Sequence, residues 1–281
     1  MIATYRRPDV IDLDARAVLS HTPCGRGEMS WRRWGDLGSK RHVVLCHGGA
    51  GSWTHWIKTI PTLEGHACIW APDLPGLGDS ALPDPMSPEG CAEPVAAGIL
   101  AQVPASAQLQ IIGFSWGAHV ATLAAVLLGN RVEGLTIVGC AAVGLPQPQL
   151  DFAREHSGMT DDDRVGLHRA TLAMLMIANP DRIDQLALEL QAENVRRSRF
   201  RSRTYATSDG IAQALPHVSA TLTAIWGEHD QIALPSVAAR LAVLRQHHPE
   251  LREVVIPDAG HWVMYEQADA FNRALRTLLG L

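Results

Sequence analysis

A serine hydroxyl attacks well only when a base takes its proton, and a histidine base is most effective when a carboxylate fixes its tautomer. The 281-residue sequence offers such a set in the order Ser115, Asp230, His261. Ser115 lies in Gly113-Phe114-Ser115-Trp116-Gly117. Before it runs Leu109-Gln110-Ile111-Ile112, long enough for a buried strand. After it comes an Ala/Leu-rich stretch of helix length, residues 118–128, which Gly129-Asn130 stops. Strand, G-x-S-x-G and helix together describe a nucleophile elbow. The turn is so sharp that side chains two residues either side of the serine would collide, which is why Gly113 and Gly117 are needed. The helix that starts there aims its free N–H groups at whatever binds Ser115.

The base expected for Ser115 is His261, in Pro257-Asp258-Ala259-Gly260-His261-Trp262, directly after the strand-like run Glu253–Ile256. Among 13 histidines, His47 and His229 compete, but His47 sits in a glycine loop and His229 lies beside the acid. That acid is Asp230, in Gly227-Glu228-His229-Asp230 just past the 221–226 run, with Glu228 as the alternative. The strand ending at Cys140 leads into Ala141-Ala142-Val143-Gly144 and supplies no carboxylate. A tetrahedral oxyanion needs two preorganised donors. One is the N–H of Trp116; the other comes from His47-Gly48-Gly49, with Gly49 preferred and Ala50 next. Asp73, followed by Gly76, Gly78 and Ser80, reads as a loop lock held by backbone hydrogen bonds.

These groups need a frame. Residues 1–20 show no clear pattern and are expected to wrap the surface. Residues 28–34 read as an antiparallel strand. Apolar runs at 42–46, 67–71, 109–112, 132–140, 221–226 and 253–256 read as buried strands. Helical stretches at 53–63, 87–101, 118–128, 235–247 and the C-terminus alternate with them, which implies crossovers and a parallel sheet. In the last helix Phe271, Ala274, Leu275, Leu278 and Leu279 share one face. From 145 the alternation stops. Thr160 and Asp163 form a capping box for a helix to about 178, and Asn179-Pro180 opens another to about 194. Residues 145–218 therefore read as a helical cap inserted after the sixth strand of a core made of 1–144 and 219–281.

Hydrophobic residues make up 47% and charged residues 19% of the chain, enough for a large core. A net charge of -5 and a pI near 6.2 argue against nucleic acid and anionic membranes as partners. Met1–Asp9 lacks the apolar core of a secretory signal, and no stretch has membrane-spanning length. Five scattered cysteines without a C-x-x-C pair (Cys24, Cys46, Cys68, Cys91, Cys140) fit a reducing cytoplasm.

His47-Gly48-Gly49, Asp73-x-x-Gly76-x-Gly78-x-Ser80, Gly113-x-Ser115-x-Gly117, Gly227-x-x-Asp230 and Gly260-His261 together resemble the α/β-hydrolase superfamily over residues 28–281. The resemblance implies an eight-stranded, mostly parallel core, hydrolysis without cofactor or metal, and a covalent acyl-enzyme. Serine at the elbow separates the chain from the dehalogenase and epoxide-hydrolase branches, which use aspartate there. Gly260-His261-Trp262 with a helical cap looks like esterases and also like the carbon–carbon hydrolases of aromatic meta-cleavage products. Those carry Asn before the serine, where this chain has Phe114. The haloperoxidase-like branch shares the triad. Hydrolysis of a small carboxylic ester is the first expectation, carbon–carbon hydrolysis the second, and a non-catalytic ligand receptor on the same scaffold the third. Leu172, Leu175 and Met176, with Trp53 and Trp262, suggest an apolar pocket. The run Arg196, Arg197, Arg199, Arg201, Arg203 reads as a solvated face or as a clamp for a substrate carboxylate. The expected partner is a small molecule, and a homodimer is left open.

Overall fold

Apolar runs without alternation form strands buried on both faces, as a parallel sheet demands. The computed structural model describes residues 7–150 and 156–281. Residues 1–6 of the stretch expected to wrap the surface, and 151–155 of the insertion, lie outside the described residues. One sheet contains β1 (Val18–Cys24), β2 (Gly27–Trp34), β3 (Arg41–Cys46), β4 (Cys68–Pro72), β5 (Gln108–Phe114), β6 (Val132–Val138), β7 (Thr221–Gly227) and β8 (Arg252–Ile256). Its order is β1-β2-β4-β3-β5-β6-β7-β8. β2 is antiparallel to both β1 and β4, and every later pair is parallel. This is the eight-stranded sheet the resemblance implied.

Over residues 7–20 the expected surface wrap is corrected. Pro8–Ala15 is a helix, α1, and β1 follows it as an edge strand. Its pattern was hard to read because an edge strand buries little: Thr22 and Cys24 are inside, whereas Val18 and Leu19 are more than half exposed. The 53–63 helix is a 3-10 turn, Trp53–Trp56, and a separate short helix, α2 (Ile60–Leu63), restarted at Pro61. β6 ends at Val138, not Cys140, because Gly139 turns to φ +53°.

α3 (Pro88–Gln102) and α4 (Trp116–Leu128) cross over between strands as expected. Alternate β3 residues feed two cores: Val44 and Cys46 join Val95, Val120 and Leu241 in one, and Val43 and Leu45 join Leu13 and Ile60 in the other. In the insertion, Thr160 and Asp163 form the expected capping box, opening α5 (Asp161–Leu175). The second helix starts later than expected. Asn179 caps only the 3-10 turn Pro180–Arg182, since Ile183 is buried in a non-helical conformation, and Asp184 caps α6 (Gln185–Arg196). α7 (Gly210–Ala214) precedes β7, α8 (Val237–His247) lies between β7 and β8, and α9 (Val263–Glu266) and α10 (Ala268–Leu279) complete the chain. α10 buries Phe271 and Leu275. No helix among the described residues is long and apolar enough to cross a membrane.

Candidate active site

Ser115 follows β5 and caps α4 at φ +53°, ψ -114°, a conformation that costs a non-glycine residue energy and persists only where the surroundings impose it. The surroundings do so. Ser115 N–H donates to Val138 O at 2.9 Å, and Ala118 N–H donates to Ser115 O at 3.0 Å. A side chain at 113 would strike Gly117 O and Ala118, and one at 117 would strike Cys46 O and His47 O. Both glycines are thus required by close backbone approach, as the spacing predicts.

Past β7, Asp230 is buried; past β8, so is His261. A side chain at Gly227 would strike Gly260 O and Ala259 O, so this glycine lets the two loops meet. His229 N–H donates to Ala259 O at 2.8 Å. The consequence is that His261 Nδ1 donates to Asp230 Oδ2 at 2.9 Å, while Ile232 N–H occupies Asp230 Oδ1 at 3.0 Å. Because a carboxylate only accepts, this bond leaves Nε2 as the ring's acceptor. Glu228 and His229 are exposed and face each other at 3.7 Å, so the alternative acid and the competing base stand outside this pair. With Asp258, also exposed, they bring possible ligand atoms within 4.8 Å of one another at the surface. Gly139, which sequence reasoning passed over, matters here: a Cβ on it would come to 3.1 Å from His261 Nδ1 and 3.2 Å from Asp230 Oδ2.

Ser115 and His261 line one cavity of about 850 Å³, together with Gly48, Gly49, Ala50 and Trp116. His47 shapes the glycine loop from beneath. Its Nδ1 donates to Gly48 O and its Nε2 accepts from Leu74 N–H, each at 2.8 Å, a neutral tautomer with no free nitrogen for chemistry. Burial pushes its pKa down, against the pull of Asp73. Gly48 N–H donates to His55 Nδ1 at 3.2 Å, and His55 is pushed well below the ordinary range by burial and by His47 and His261. Asp73 is the loop lock expected. It accepts from Trp53 N–H and Asp79 N–H at 2.9 Å, and although burial pushes its pKa up, Arg32, His47 and Arg197 outweigh it and hold the carboxyl below its usual value.

The expected pocket needs revision. Met176 and Leu175 line the cavity, but Trp53, Trp262 and Leu172 do not. Trp53 packs on Trp34 with Arg32 over its ring, and Leu172 is fully buried in the core. Trp262 turns its back on the cavity, donating Nε1–H to His55 O at 3.0 Å and stacking on Tyr265 at 4.2 Å. The aromatic wall is instead Trp116, Phe200 and Tyr205, stacked with centroids 5.2 to 6.0 Å apart. One signal was available: the chain has only 4 Phe and 3 Tyr, and one of each falls in 200–205. The arginine run is not a plain solvated face, and two of its members do reach the cavity. Arg196 pairs with Glu193 outside, Arg197 is buried against Asp73 and Asp79, Arg199 donates to Ser80 O, and Arg201 and Arg203 line the cavity. All five cysteines are free and buried, and burial raises the Cys46 and Cys140 thiols to about 12, so they are inert here.

Over 260 residues the chain is 27% identical to the dihydrolipoyllysine-residue acetyltransferase component of the acetoin cleaving system of Pseudomonas putida, with 88% of this chain matched to 66% of that protein's length. It is 25% identical over 272 residues to a 2-hydroxy-6-oxononadienedioate/2-hydroxy-6-oxononatrienedioate hydrolase of Cupriavidus pinatubonensis, covering 85% of this chain and 86% of that one. A solved thermophilic esterase from Thermogutta terrifontis has the same fold, with a TM-score of 0.69, 22% identity and coverage of 94% and 97%. The model of the alpha/beta hydrolase family matches residues 43–274, and the chain belongs to that family.

Proposed function

We propose that this hydrolase cleaves a small carboxylic ester through a covalent acyl-enzyme on Ser115. The observation that carries the reading is the buried 2.9 Å hydrogen bond from His261 Nδ1 to Asp230, beside a cavity that both His261 and the strained Ser115 line. In this reading Ser115 Oγ attacks the ester carbonyl as His261 Nε2 takes its proton. Asp230 holds the ring and stabilises the imidazolium. The carbonyl oxygen becomes an oxyanion held by the Trp116 and Gly49 N–H groups. Collapse expels the alcohol, protonated by His261, and leaves the acyl-enzyme. His261 then takes a proton from water, whose oxygen attacks the acyl carbon, and a second collapse frees the acid and restores Ser115. The helical insertion acts as a cap, closing the site with an apolar group, Leu175, Met176, Phe200 and Tyr205, and with Arg201 and Arg203 beside it.

The likeness to a carbon–carbon bond hydrolase makes that reaction the rival to test. Phe114 supports the ester reading: its ring lies 4.8 Å from that of His261 and adds no polar contact next to the serine. Rates with p-nitrophenyl acetate and with a coloured aromatic ring-cleavage dienone, using Ser115→Ala as the blank, decide between them. The expected outcome is ester turnover that falls by several orders of magnitude in Ser115→Ala, on the order of 10⁴-fold or more. Faster loss of the dienone would move the chain to the carbon–carbon branch. Full ester turnover by Ser115→Ala would overturn the mechanism.

A further inference from the structure

Ser202 opens the 3-10 turn Ser202–Tyr205 of the insertion between β6 and β7. It is buried, yet it lines the same cavity as Ser115, Gly49 and Trp116. A Cβ built on Gly49 would collide with Ser202 Oγ, and that same point lies 3.6 Å from Trp116 Cβ. The hydroxyl therefore stands against Gly49, with Trp116 close by, and the N–H groups of these two residues form the proposed oxyanion site. Its place is firmly set. Arg199 N–H and Phe200 N–H both donate to Gly76 O, at 2.9 and 3.1 Å. On the other side the Tyr205 ring stacks on Trp116 while its Oη donates to Met86 O at 2.8 Å. Nearby hydroxyls are committed within the protein: Ser52 and Thr54 to Asn194, and Ser80 to the carbonyl of Asp73. Ser202 Oγ has no such partner among the described residues.

The geometry points to Ser202 as a third hydrogen-bond donor to the oxyanion, a catalytic residue delivered by the insertion and not by the sheet. This rests on the ester-hydrolase reading above. When Ser115 attacks, the carbonyl π electrons move onto oxygen. Two backbone N–H groups and the Ser202 O–H then donate to that oxygen. Ser202 keeps its proton throughout, and the charge returns to the carbonyl on collapse. A donor aimed at charge that develops only in the transition state raises kcat and leaves KM nearly unchanged. It also gives glycine at 49 a role: a side chain there would displace the hydroxyl.

The test compares wild type, Ser202→Ala and Ser202→Cys for p-nitrophenyl acetate kinetics, for inhibition by an alkyl trifluoromethyl ketone, and for thermal midpoint. The ketone adds to Ser115 and places an oxyanion where the ester would. For Ser202→Ala the expected result is a loss in kcat of about 10- to 100-fold with KM unchanged, in the range of a lost oxyanion donor. Ketone affinity falls by the same factor and the midpoint stays put. Ser202→Cys, a weaker donor of similar shape, falls between, and carries the comparison alone should the alanine variant not fold. Wild-type kcat/KM and ketone affinity in both variants would overturn the proposal, as would a kcat loss that spared ketone affinity. Wild type inert toward esters, with ketone affinity still lost in Ser202→Ala, would retire the ester reading and keep the donor. Wild type that neither turned over ester nor bound the ketone would overturn both.

Discussion

His119, four residues after Ser115, is buried in the cavity wall with its ring edge-on to Trp116 at 5.5 Å and its Nδ1 without a hydrogen-bond partner among the described residues. Burial pushes its pKa from the ordinary 6.5 down to about 4. Between those values the unfolded chain takes up a proton that the folded chain refuses. Stability is therefore complete above pH 6.5 and falls as the pH is lowered toward 4. His47 and His55, also pushed down by burial, add to the slope with the same sign. Urea midpoints measured from pH 7 to 4 should fall, and the fall should be shallower in His119→Leu; parallel curves would show that His119 does not titrate in this window. None of this was legible beforehand, because a histidine in an Ala/Leu-rich helix carries no local mark of what its ring will face.

Two elements meet at Glu266, in α9. Its buried carboxylate accepts from Gly260 N–H at 2.7 Å, beside His261, and from Ala178 and Asn179 N–H at 2.9 and 2.8 Å, just past α5. Trp262 N–H adds a bond to Met176 O at 2.7 Å. One side chain thus fastens the histidine loop to the insertion. Glu266→Gln turns one accepting oxygen into an NH₂ that faces N–H donors, and should cost about 2–3 kcal/mol in chemical denaturation. It should also lower kcat by roughly tenfold as the His261 loop loosens. A variant as stable as wild type would refute the latch. The elbow, by contrast, was readable from five residues, since its glycines are demanded by atoms within a few positions. Glu266 was not, because two of its partners lie 87 and 88 residues away.

Across the whole molecule, the insertion is pinned to the core on a second side. Arg197 is buried against Asp73 and Asp79, Ser52 Oγ donates to Asn194 Oδ1 at 2.7 Å, and Arg32 joins Asp73 from the sheet at 3.4 Å. Breaking a buried ion pair strands its partner, so Arg197→Leu should destabilise the fold by about 3 kcal/mol, read from urea unfolding. A loss below 0.5 kcal/mol would mean that Arg32 alone satisfies both aspartates. The sequence by itself determined the strand–helix alternation, the elbow, and the order Ser115, Asp230, His261. Each rests on short-range spacing: apolar runs of strand length, glycines where backbones touch, polar residues just past strand ends. Only the tertiary structure decided what lines the cavity. Trp53, Leu172 and Trp262 went behind it, and Phe200, Ser202 and Tyr205 came to the front. Which side of an inserted helical segment faces the sheet is chosen by contacts such as Arg199 to Ser80, 119 residues apart, and no local pattern in the chain encodes them.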